Sequence, residues 1–169
     1  MIFGLPAHIL LVHAVVVLVP LTALAVLLHA VWPAARRRLG VVTPLAALIV
    51  LILVPITVSA GEALEATVGV TPAVQKHADL GQTLLPWAIA LFVIALIEWV
   101  WYRFVLGAAG ADSSDADSPL AARMPRAGRV ASVAVIALAA IVIAGGALID
   151  IVLIGDAGAR AVWGGIAGG

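Results

Sequence analysis

The side chains that could carry chemistry in this chain are a handful of histidines and carboxylates set among apolar residues. His8 and His13 interrupt the run "GLPAHILLVHAVVVLVPL", and His77 stands in "VQKHADLG". Glu62, Asp150 and Asp156 border further apolar stretches. Imidazole together with carboxylate suits zinc, iron, manganese or copper without choosing among them. Two histidines from facing helices at matching depth suit a b-type haem. An ionisable group inside a membrane points to function by default, because burying it is costly. His8 and His13 do not form a ligand pair on one helix. Five residues at about 100° each set them roughly 140° apart, whereas paired ligands use i,i+3 or i,i+4 spacing.

The elements that must position these groups are membrane spans. The chain has 169 residues, 64% of them hydrophobic and 11% charged, with a mean hydropathy of +1.23. Polar surface sufficient to dissolve such a domain is missing, so the composition implies an integral membrane protein. Net charge is zero, which leaves no footprint for nucleic acid. Cysteine is absent, excluding disulfides, thiolate metal sites and c-type haem attachment. No basic segment precedes the first apolar run and no small-residue cleavage pattern follows it, so that run is expected to remain as a span.

Four uncharged stretches, Met1–Ala35, Leu39–Gly61, Leu80–Ile97 and Val130–Ile149, each supply the roughly 20 residues that cross the hydrocarbon as helix. The expected fold is all-α, a single four-helix transmembrane bundle with helices near 5–33, 41–62, 72–105 and 128–155. A cytoplasmic linker over 106–127 carries "GAAGADSSDADSP", rich in the residues of flexible connections. Pro20, Pro55 and Pro86 fall inside spans and are expected to kink them. Thr71 and Pro72 suit the start of the third helix as cap and first residue.

Basic residues set the orientation. Arg36, Arg37 and Arg38 lie in one connection, and Arg103, Arg123, Arg126 and Arg129 flank another, against Lys76 and Arg160 on the opposite side. By the positive-inside rule both termini face outward, in a multi-pass protein of the inner (plasma) membrane. Trp32, Trp99, Trp101 and Tyr102 then mark the cytoplasmic interface, with His29 beside them and Glu98 within reach of Arg103. Counting outward at about 1.5 Å per residue places His13, Glu62, Gln82 and Asp150 at the outer edge of the hydrocarbon. A second tier holds His8, Glu65, His77 and Asp156. His8 and His77 match best in depth as a haem pair. Mixed ligand sets for an ion are His8, His77 and Asp156, or His13, Glu62 and Asp150. An ion pair of Asp150 with Arg160 is the structural alternative. Ala137, Ala140, Ala144 and Ala147 form a small-residue stripe for helix packing.

"LPAHILLVHAVVVLVPL", "GEALEATVG" with "VQKHADLGQTLLP", and "IGDAGARAVWGG" together resemble the bacterial four-helix membrane proteins grouped as a domain of unknown function, DUF2231. The resemblance covers most of the chain except Gly107 to Arg126. It implies a four-helix membrane fold but no settled activity. It also implies that relatives carry His where this chain has Asp156, and that some are joined to cytochrome-like domains. Such an exchange suits a metal ligand or a proton acceptor and argues against Asp156 as a strict haem ligand.

Three functions are therefore expected to compete. The first is a metal or haem b site near the outer face, used in electron transfer. The second is a small transporter or proton-handling protein, and the third a structural or assembly subunit. The expected partners are the lipid bilayer and either a second copy of the chain or a redox protein. No nucleophile elbow, phosphate loop or HExxH is present, so no enzyme motif is recognisable.

Overall fold

The structure, a computed structural model, describes residues 7–107 and 124–164. Helix α1 runs Ala7–Val31, the short α2 Pro33–Leu39, α3 Val42–Val68, α4 Pro72–Val100 and α5 Arg126–Trp163. A π turn over Trp101–Val105 extends α4, closed by the Leu106 N–H on the Trp101 carbonyl at 2.9 Å. The described residues are all-helical apart from short turns, and α1, α3, α4 with its π turn, and α5 are long and apolar enough to cross a membrane. Pro20, Pro55 and Pro86 lie within continuous helix. The expected linker falls largely on residues 108–123, which lie outside the described residues, as do both chain ends.

The elements follow from local chemistry. Pro33 cannot continue α1 and instead opens α2, so the expected first span divides after Val31. Gly69 takes φ +84°, a conformation costly for other residues, and ends α3 after six more residues than expected. Thr71 accepts the Val74 N–H at 3.3 Å, and Pro72 follows at the first helical position. A turn of only three residues, Gly69 to Thr71, therefore joins α3 to α4 and fixes where His77 begins its climb.

The four long helices form a ring. α1 packs on α3 and α5, α4 packs on α3 and α5, and the diagonal pair α1 and α4 touch far less than these neighbours. Each inner face is a stripe of 3- and 4-residue steps, the spacing of one helix side. On α1 the stripe buries Val15, Val19, Thr22, Val26 and His29; on α4 it buries Leu84, Ala88, Leu91, Ala95 and Glu98. Ala140, Ala144 and Ala147 of α5 are fully covered, as a small-residue packing stripe requires. Trp87 lies directly over Gly146, where a Cβ would collide with the indole. Outward faces carry exposed Val17, Leu21, Ile52, Val93 and Val152. An apolar surface of that extent suits contact with lipid.

Candidate functional site

One end of the bundle assembles two histidines on matched mounts. His8 stands near the start of α1 and His77 near the start of α4, on diagonally opposed helices. Nδ1 of His8 lies 3.0 Å from the Thr57 carbonyl oxygen on α3, and Nδ1 of His77 lies 3.1 Å from the Ile154 carbonyl oxygen on α5. A carbonyl only accepts, so each Nδ1 carries a hydrogen, and Nε2 is the ring nitrogen left for a ligand. Neither Nε2 has a hydrogen-bond partner among the described residues.

Each ring also lies against a glycine four residues beyond its carbonyl partner. A Cβ built on Gly61 would stand 3.0 Å from Cε1 of His8, and one on Gly158 would stand 3.0 Å from Cε1 of His77. The two half-bundles thus repeat one mount: imidazole, glycine shelf, backbone acceptor one turn away. The ring centroids are 6.3 Å apart, with planes inclined at 75°.

Both histidines border a cavity of about 730 Å³, within the size range of sites for small organic ligands and cofactors. Its apolar floor takes one side chain from each long helix, Val15, Val54, Leu84 and Ile151. Glu62, Glu65 and Asp79 stand at its border.

Other expected ligands lie elsewhere. His13 is exposed and turns its Nδ1 back onto the Ile9 carbonyl of its own helix at 2.6 Å. With His8 facing inward, the roughly 140° offset carries His13 to the outer face of α1. Asp150 is buried, but toward Thr83, whose hydroxyl lies 2.8 Å from Oδ1; its Oδ2 has no partner. Arg160 pairs with Asp156 at 2.9 Å, both exposed, which replaces the expected Asp150–Arg160 pair. No group of three or more histidine, aspartate or glutamate side chains among the described residues is gathered closely enough to hold a metal ion. Neither mixed ligand set is therefore assembled.

The opposite end holds a second polar cluster that depth counting missed. His29 is 1% exposed, with Nδ1 3.2 Å from the Thr43 hydroxyl and its ring 5.8 Å from Tyr102. Arg36 donates from Nε to the His29 carbonyl at 2.7 Å and from its terminal nitrogen to the Ala30 carbonyl. Those bonds close the end of α1, and the guanidinium lies 3.7 Å over the Tyr102 ring, a cation–π stack. Tyr102 is buried within the bundle. Glu98 is fully buried and neither carboxyl oxygen is hydrogen-bonded; it does not pair with Arg103, whose guanidinium lies toward Phe104. The signal was periodicity. Glu98 and Tyr102 continue the 3- and 4-residue steps that run from Leu84 through Ala95, and His29 continues those from Val15.

No protein-family model, no curated protein and no solved structure matches the chain.

Proposed function

We propose that this membrane protein holds a b-type haem between His8 and His77 and uses it in electron transfer. The observation that carries the reading is the pair of imidazoles on separate diagonal helices, 6.3 Å between centroids. His8 and His77 would together hold the haem iron through the ring nitrogens that face no backbone carbonyl.

The backbone carbonyls that hold the two rings support the same reading. A ligating histidine donates its other N–H to a carboxylate, a carbonyl or water, which fixes the tautomer and raises ligand basicity. Thr57 and Ile154 carbonyls do this for His8 and His77. Two ligands suffice for a haem, whose macrocycle supplies the remaining four, whereas a bare ion needs a fuller set. The iron would supply one-electron exchange; the chain's own residues orient the imidazoles, line an apolar cavity and limit water.

Purified protein produced with ample haem supply should show a Soret band and sharpened visible bands on reduction. His8→Ala and His77→Ala should each remove the low-spin spectrum, and His13→Ala should leave it intact. Wild-type protein with no Soret band after haem supplementation overturns the assignment.

A second reading, a site that handles protons or a cation, draws on Glu62, Glu65 and Asp79 at the border of the same cavity. Retention of a metal with no haem spectrum, lost on His77→Ala, would favour it.

A further inference from the structure

We propose that the end of the bundle opposite His8 and His77 binds the phosphate of an anionic phospholipid. A cavity of about 220 Å³ lies there between α1, α2 and the π turn. His29 and Tyr102 form its floor, and Arg36, Arg37, Arg103 and Trp99 form its sides. No carboxylate lines it among the described residues. Glu98, one helical turn before Tyr102, is fully buried and absent from the lining.

The three arginines have different tasks. Arg36 is engaged with two backbone carbonyls and the Tyr102 ring, so it contributes fixed positive charge. Arg37 and Arg103 are exposed, and no acid neutralises either among the described residues. A guanidinium pair beside an aromatic side chain matches a phosphate diester, whose oxygens accept paired N–H groups.

A lipid is favoured over a free anion by what surrounds the opening. Val31, Trp32, Val100 and Phe104 are exposed at the same end, each 41% or more. They are chain neighbours of the pocket-lining Pro33, Trp99 and Arg103, so apolar surface on which acyl chains would run adjoins the basic pocket. Basic pockets between helices at a membrane face are recognised settings for anionic headgroups. Independence from the haem reading is complete, because no residue is shared between the two ends.

Native mass spectrometry of the detergent-solubilised protein, titrated with phosphatidylglycerol or phosphatidylcholine, tests the assignment. Wild type should retain one phosphatidylglycerol in preference to phosphatidylcholine by about thirtyfold, the ratio that two arginine–anionic lipid contacts supply. The double variant Arg37→Gln/Arg103→Gln should lose that preference, and Arg37→Lys/Arg103→Lys should keep most of it. Equal retention of the two lipids by wild type overturns the proposal, whether or not the double variant folds. An unchanged preference in a folded Gln variant also overturns it. Inorganic phosphate is the third arm: millimolar phosphate should leave the lipid bound, and full displacement would show a site for a free anion instead.

Discussion

At the scale of single residues, the histidine mount rests on two glycines as much as on the two rings. Alanine at 61 or 158 would put a methyl group 3.0 Å from the imidazole carbon, so the ring must swing and its Nδ1 bond to Thr57 or Ile154 must lengthen. Second-shell losses of this kind cost roughly 10–100-fold in metal affinity. Gly61→Ala and Gly158→Ala should therefore weaken haem retention by at least about tenfold, measured by haem titration of the apoprotein. Folding should not suffer, because alanine favours helix over glycine by about 1 kcal/mol. Unchanged haem affinity in both variants would remove the mount from the mechanism. His13 shows why counting depth was insufficient. Depth along a helix says how far a residue sits from the interface; the angle around the helix decides what it faces, and His13 faces away.

At the scale of elements, the stripes that bury each helix also decide which polar groups go inside. Glu98 occupies the α4 stripe and has no hydrogen bond, an arrangement that costs about 1–3 kcal/mol per unsatisfied group. Glu98→Met should accordingly raise the Tm of the purified protein by several degrees, read by intrinsic fluorescence during heating. A lower Tm would show that the carboxyl stabilises its surroundings. The α4–α5 contact depends on the missing side chain of Gly146 beneath Trp87. Gly146→Val forces the indole out of place and should destabilise by about 1–3 kcal/mol, the usual cost of overpacking; an unchanged melting curve would show that Trp87 relocates freely. Pro33 and Thr71 were readable as helix punctuation because each acts through its own backbone or the next turn, whereas the stop at Gly69 was not and the helix was expected to end near residue 62. The length of α5 was not readable, since "GDAGARAVW" offers glycines as breakers and the helix continues through them to Trp163.

For the whole molecule, four helices are long and apolar enough to cross a membrane, and four crossings would put the two ends of the described chain on one side of the bilayer. The arginine distribution predicts that this side is outward, with α2 in the cytoplasm. Absence of native cysteine makes the test direct. Lys76→Cys should react with a membrane-impermeant maleimide added to intact spheroplasts, and Arg38→Cys should react only after the membrane is opened. The reverse pattern would invert the topology, placing the histidine cavity on the cytoplasmic side and the arginine pocket outside. Neither cluster's geometry would change, but the side of the membrane from which each is reached would.

Composition and apolar run length determined, without any tertiary information, that the chain is helical and has four segments able to span a membrane. Those properties depend on the cost of exposing backbone and side chains to lipid, which sums over a segment and needs no partner. Residue counting also set His8 and His77 at matching depth. What only the tertiary structure decided was azimuth and pairing: that these two rings face each other across the bundle, that His13 points out, that Asp150 meets Thr83, and that His29, Arg36, Tyr102 and Glu98 gather at the far end. Those outcomes depend on which helices are neighbours and how each is rotated. Rotation is set jointly by all four packing stripes, so no single segment of sequence contains it.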